Sequence, residues 1–323
     1  MKRRRWLASA GALGLMSSAA GRAAAQAATG RVVLGFAPGG SVDALARMTA
    51  DALGAGGGRT YVVENRTGAG GRLALDLVKA APPDGDTLLV APQGPMTLFT
   101  HVFKKQLKYD PARDFSPVTR LAVGDFALTV GPLSGAKDLA GFRQWLKTAG
   151  AKATYGSPGA GTLPHFIGVS MAQKFGIEMT HVPYPGSAKS MIDLAGGNVA
   201  STLSPVTEAL ELHKAGKVRI VATSGAVRSP FTPDVPTFKE QGIDLEVPLW
   251  FAVYGPARIP AATVDRLRAA IDRALATPEA AERLAKLGLA AAPLAPAQME
   301  ALRQRESAMW GPIVAASGFT PND

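Results

Sequence analysis

Strand-like and helix-like segments alternate along this chain, and most of the breaks between them are glycine-rich turns. Val32-Val33-Leu34-Gly35-Phe36 is a short apolar run that stops at Pro38-Gly39-Gly40. Behind the break, Val42, Leu45, Ala46, Thr49 and Leu53 recur at helical spacing on one face. Tyr61-Val62-Val63 is a second strand, stopped by Gly68-Ala69-Gly70-Gly71 before a helical stretch over residues 73–80. A third strand over 87–91 follows the turn Pro82-Pro83-Asp84-Gly85. Strand, turn, helix and strand at this spacing describe βαβ units on a parallel sheet, so the fold class is α/β.

A second series starts near Phe126. Strands are expected over 126–130, 154–156, 179–184, 200–204 and 219–224. Helices are expected over 139–148, over 163–175, before Gly196-Gly197 and over 207–214. From Pro260 the tail is helical, with Val264, Leu267, Ile271 and Leu275 in one apolar stripe and Thr277-Pro278 opening another helix. No repeat or low-complexity linker separates the two series, which predicts two α/β lobes without a flexible tether.

The first residues follow different rules. Met1-Lys2-Arg3-Arg4-Arg5 precedes a small, apolar stretch from Trp6 to Ala20 and then Ala23-Ala24-Ala25-Gln26-Ala27-Ala28. A basic start, a short apolar middle and an A-x-A end have the layout of a cleaved secretory signal over residues 1–27. The middle is too short for a bilayer span of roughly 20 residues. Arg3-Arg4-Arg5-Trp6-Leu7 also fits a twin-arginine signal, so either the Sec or the twin-arginine route would carry the protein to the periplasm. No later stretch reaches membrane-spanning length without charges or prolines.

That segment carries half of the formal charge of +10. Lys2, Arg3, Arg4, Arg5 and Arg22 leave with it and no acid does, so the remainder carries +5. The other basic residues are scattered, without the clustered basic patch and interleaved aromatics of a nucleic-acid binder. A modest positive bias suits a small anionic ligand. The chain has no cysteine, which excludes disulfides, a thiolate nucleophile and Cys-ligated zinc or iron–sulfur centres. There is no G-x-S-x-G elbow, H-E-x-x-H or P-loop, and His101, His165, His181 and His213 lie at no metal-ligand spacing. No catalytic residue, metal or cofactor is therefore assigned, although a triad is defined by geometry and an exported hydrolase stays open.

What the chain offers instead is donor-rich turns where strands feed helices. Residues 36–43, 64–71 and 155–165 are three of these, the last with the hydroxyls of Ser157 and Thr162. Free N–H groups at a helix N-terminus attract carboxylates or phosphates, and glycine lets a ligand approach the backbone. Singly, each is also an ordinary tight turn. One turn from each lobe would form a cleft that clamps an anion.

Phe36-Ala37-Pro38-Gly39-Gly40 with Asp43, Glu64-Asn65-Arg66 with Gly68-Ala69-Gly70-Gly71, and Tyr155-Gly156-Ser157-Pro158-Gly159 with Gly161, Thr162 and His165 follow one another along the chain. Val182-Pro183-Tyr184 with Gly186, Asp193-Leu194 with Gly196-Gly197, and Trp250-Phe251 with Gly255-Pro256-Ala257 complete the order. This ordered set closely resembles the Bug (Bordetella uptake gene) family, the substrate-binding proteins of tripartite tricarboxylate transporters. The resemblance implies a type II-like periplasmic binding protein of two lobes joined by two crossing strands, near 126–130 and 248–253. Lobe 1 would comprise 28–126 and 252–323, and lobe 2 residues 127–251.

By the same resemblance, the ligand is a di- or tricarboxylate, an amino acid or an aromatic acid. The partner is a tripartite tricarboxylate-type membrane permease or, alternatively, a sensor kinase, and the protein is a monomer that binds no nucleic acid. Two loops would grip one carboxylate, with Phe36, Pro38, Gly39, Gly40 and Asp43 on the first and Ser157, Gly159, Ala160, Thr162 and His165 on the second. Asp43 can cap its helix, hold a water or meet a ligand ammonium group. His165 can pack at its helix or touch the ligand, and Phe36 and Tyr184 can wall the pocket or belong to the core. Gln93 and Ser204 lie in loops that depart from the family pattern, Ala91-Pro92-Gln93-Gly94-Pro95 and Ser201-Thr202-Leu203-Ser204-Pro205. Ligand identity therefore stays open at this point.

Overall fold

A computed structural model describes residues 29–55 and 59–321; the expected export segment over 1–27 lies outside the described residues. The elements run β1 (Gly30–Leu34), α1 (Ser41–Gly54), β2 (Tyr61–Asn65), α2 (Arg72–Lys79), β3 (Thr87–Pro92), α3 (Gln93–Thr97), α4 (Phe99–Val102) and β4 (Phe115–Val130). They continue with α5 (Leu139–Ala149), β5 (Thr154–Ser157), α6 (Leu163–Phe175), β6 (Thr180–Pro183), α7 (Ser187–Ala195), β7 (Ser201–Pro205), α8 (Val206–Lys214) and β8 (Arg219–Thr223). β9 (Pro248–Pro256), α9 (Ala261–Leu275), α10 (Pro278–Ala285), β10 (Ala290–Ala291) and α11 (Pro296–Ser317) complete the order.

β1, β2 and β3 are parallel, and β9 joins β3 antiparallel. The central strands are almost continuously apolar because helices cover both faces. Val32, Leu34, Leu88 and Val90 pack with Leu45 of α1 and Leu267 and Ile271 of α9, while Val33 and Leu89 pack with Leu75 and Val78 of α2 and Leu302 of α11. The expected stripe of α9 is thus buried, and the returning tail packs against the sheet of β1 and β3. In the second lobe β5 lies parallel to β6 and β7.

β4 belongs to both sheets. Its first part, Phe115 to Asp125, pairs with β9, and its last part, Phe126 to Val130, pairs with β7 and β8. Ser224, fully buried, ties the two connections where the lobes meet. Its hydroxyl accepts the Phe126 N–H at 3.0 Å and donates to the Val247 carbonyl at 2.6 Å. Deeper in lobe 1, Trp250 of β9 donates its indole N–H to Glu306 of α11 at 2.8 Å. No helix among the described residues is long and apolar enough to cross a membrane.

Candidate functional site

The first turn leaves β1 and enters α1 through Gly40, an N-cap residue that has no side chain with which to cap. The Asp43 carboxylate, one turn in, is directed backwards instead. It accepts the Gly39 N–H at 3.1 Å, the Asn65 amide at 3.0 Å and the Arg47 Nε–H at 2.9 Å. Burial alone would raise this carboxyl, but the hydrogen bonds from Arg47, Asn65 and Gly39 outweigh it and hold Asp43 below the ordinary aspartate range. Asn65 also donates to the Phe36 carbonyl, which fastens the turn to β2.

The second turn leaves β5 and enters α6. The Ser157 and Thr162 hydroxyls both donate to the Gly159 carbonyl, at 3.0 and 2.7 Å. The proton of Ser157 is therefore committed, and His181, whose Nε2 lies 2.8 Å from the same oxygen, is the donor in that contact. His165 Nδ1 accepts the Gly161 N–H at 3.1 Å. Gly161 sits at φ +76°, a conformation that favours glycine, and a Cβ there would make ordinary contact with Val102, Phe103 and Phe319 at 3.4–3.5 Å. The His165 and His181 rings stack with centroids 4.0 Å apart, and Phe319 meets His165 edge-on. Burial pushes both imidazoles down to about 4, so they are neutral at pH 7.

Between these turns lies a cavity of about 470 Å³. Four helices from both lobes contribute their first residues to its lining: Gly40, Ser41 and Val42 at α1, Thr162, Leu163 and Pro164 at α6, Ser187 at α7, and Pro205 to Glu208 at α8. None of the four has a side-chain cap, as is also true of α2 and α9 away from the cavity, while Asp138 caps α5 and Thr277 caps α10. The opening N–H groups of an uncapped helix have no intrahelical partner and carry its positive end. Phe99, Phe126, Leu249 and Phe251 supply apolar wall. Among the described residues, the lining contains Asp125 and Glu208 but no lysine, arginine or histidine.

Of the residues expected from sequence, Phe36, Gly40 and Thr162 line this cavity. Pro38, Gly39, Gly159 and Ala160 lie in the two turns, and Asp43, Ser157 and His165 lie behind them with polar atoms engaged in shaping the backbone. The Tyr184 ring covers Gly156 of β5, where an added Cβ would come within 2.9 Å of it. Ser204 is fully buried in β7, its hydroxyl 3.4 Å from the Pro205 carbonyl.

Gln93, also fully buried, turns away from the cavity. Its amide donates to the Pro248 carbonyl and its carbonyl accepts the Trp250 N–H, each at 2.6 Å. Gln93→Ala strands both backbone groups at the start of β9 and is expected to cost about 2 kcal/mol in a denaturant titration. A loss under about 0.5 kcal/mol would show that this brace contributes nothing.

Sequence reasoning missed Asp125, Phe126, Glu208 and the Leu287–Leu289 stretch. A lone acid inside the apolar run Leu121-Ala122-Val123-Gly124-Asp125-Phe126-Ala127-Leu128 was a usable signal. Residues 287–289 carry none, since only the return of the tail brings them to the cavity.

The family model described as "Tripartite tricarboxylate transporter family receptor" matches residues 45–319. A UPF0065 protein of a Pseudomonas species is 34% identical over 284 residues, which is 87% of this chain and 84% of the relative. Among solved structures, a Rhodopseudomonas palustris protein with adipate superposes with a TM-score of 0.80 at 29% identity, covering 91% of this chain and 98% of its own. MatC of the same organism, with bound malate, gives 0.76 at 30% identity, over 88% and 98%.

Proposed function

The chain belongs to the tripartite tricarboxylate transporter receptor family and is a periplasmic solute-binding protein, and from that premise we propose that it captures a small carboxylate in the interlobe cavity for a tripartite tricarboxylate-type permease. The observation that carries the ligand class is the convergence of uncapped helix N-termini from both lobes, those of α1, α6 and α7, on one cavity. Such termini offer unpaired N–H donors and positive potential, and a carboxylate accepting several of them gains about 1.5–3 kcal/mol per charge-assisted bond. Malate in one neighbour and adipate in another are small carboxylates and support the same class. The first turn would grip through Gly40, Ser41 and Val42, and the second through Thr162 and Leu163. Asp43, Ser157 and His165 would act through the backbone they hold. Closure of the lobes would then give the permease a loaded shape to recognise. Export with loss of residues 1–27 belongs to the same reading.

A thermal-shift series with mono-, di- and tricarboxylates on ligand-stripped protein tests it. A saturable rise is expected, corresponding to about 2.7 kcal/mol when ligand reaches a hundredfold excess over Kd. Ser41→Pro is the matching variant, because proline is well tolerated at the first helical position yet deletes one N–H at the cavity. It should leave the melting temperature of the free protein unchanged and weaken carboxylate binding about tenfold. Unchanged affinity would remove the α1 terminus as a carboxylate seat.

A further inference from the structure

The charges on the cavity wall are one-sided. Asp125, half-buried on β4 between the lobes, and Glu208, exposed in the first turn of α8, are the ionisable side chains on it among the described residues, and both are acids. The Ser229 hydroxyl bonds to Asp125, and among the described residues no basic side chain acts on either acid. Glu208 is placed to offset the positive end of α8, which leaves that end less able to receive an anion. A ligand with carboxylates at both ends would seat one on the helix termini and bring the other to two carboxylates without a counter-charge. Like charges there are costly once water is excluded from the cavity.

We infer that the solute is zwitterionic, with a carboxylate held by the turns at α1 and α6, a short apolar spacer against Phe126 and Phe251, and an ammonium or guanidinium group received by Asp125 and Glu208. This rests on the reading that the cavity binds a carboxylate, and it names the class of carboxylate. Phe99 and Leu249 add further apolar wall for the spacer. Burial raises the Asp125 carboxyl to about 6, so at pH 8 it is ionised and available to a cation. The preference would set this chain apart from the neighbour solved with the dicarboxylate adipate.

The test is calorimetry at pH 8 on the ligand-stripped protein with two matched sets: butyrate, succinate and γ-aminobutyrate, then hexanoate, adipate and ε-aminohexanoate. In at least one set the amino carboxylate should bind ten- to a hundredfold more tightly than the dicarboxylate, the range of one charge-assisted bond made or lost. The double variant Asp125→Asn, Glu208→Gln should abolish that preference while retaining the monocarboxylate. Binding of the mono- or dicarboxylate in preference to the amino carboxylate, unaffected by the double variant, would overturn the zwitterion and leave the carboxylate reading standing. If none of the six binds, both fail together.

Discussion

Gly35→Ala is expected to cost about 3 kcal/mol of folding stability and to weaken ligand binding at least about tenfold, the largest effect of any single methyl group at this site. A Cβ on Gly35 would collide with Gly71, meeting its Cα and lying 2.6 Å from its carbonyl oxygen. Both partners in that clash are backbone, so no side chain can rotate away. Gly71 stands at φ +93°, so its turn has little freedom to move without losing that conformation. The first turn is bound to its neighbour from below, because Arg66 donates to the Leu34 carbonyl and Asn65 to the Phe36 carbonyl. Pushing the two turns apart therefore displaces Phe36 and Gly70, which both line the cavity. Gly40→Ala is the control, since nothing lies within 4 Å of its Cβ and its φ is −86°. It should cost under about 1 kcal/mol, the difference between glycine and alanine at an N-cap. Denaturant titration of both variants settles the matter, and a Gly35→Ala loss as small as that of Gly40→Ala would mean that the backbones do not touch.

The parts of this fold that were legible in the sequence are those dictated by local periodicity. Buried parallel strands read as apolar runs, and Val264, Leu267, Ile271 and Leu275 marked the buried face of α9 correctly. β4 was only half legible. Residues 126–130 have the apolar pattern of a strand, whereas 115–125 carry Pro117, Thr119, Arg120 and Asp125, which local pattern reads as a loop. These residues are tolerated because distant partners satisfy them: Thr119 donates to Asp272 of α9 at 2.8 Å, and Arg120 to the Ala292 carbonyl at 2.7 Å. The site divides in the same way. Its two turns show in the sequence as glycine clusters, but Phe126 reaches the cavity through pairing with Pro205, Phe251 through pairing with Ala122, and Leu289 beside the pairing of Ala290 with Val123, all of them distant in the chain. The direction of a hydroxyl is not legible at all. Ser157 and Thr162 looked like ligand donors, and both donate to Gly159.

Acid titration is expected to show two opposed contributions that single variants pull apart. His165 is held near 4 by burial, below its ordinary value of 6.5. The unfolded chain therefore takes up the proton first, and stability present above pH 6.5 is lost as pH falls toward 4, by about 3 kcal/mol for this imidazole. His181 follows with the same sign. Glu306 is raised by burial to about 7, so its contribution runs the other way: stability present below pH 4.5 is lost as pH rises through 7, again about 3 kcal/mol. Asp125 adds to the Glu306 direction. In the parent protein the two sets oppose each other between pH 7 and 4, with His101 and His213 adding to the first and Glu208 to the second. His165→Asn retains an acceptor for the Gly161 N–H but cannot titrate. It is expected to be less stable than the parent at pH 7, having lost the stack on His181, and to recover about 3 kcal/mol relative to the parent by pH 4. Glu306→Gln retains an acceptor for the Trp250 indole, so it should match the parent near pH 4 and exceed it by about 2–3 kcal/mol at pH 8. Melting curves of the three proteins from pH 4 to 8 give the answer directly. Differences that stay constant across that range would show that neither buried group changes its proton on unfolding. Protonation of His165 also places a second donor against the Gly161 N–H, so the turn at α6 should loosen, and ligand affinity fall, over the same acid range in the parent but not in His165→Asn.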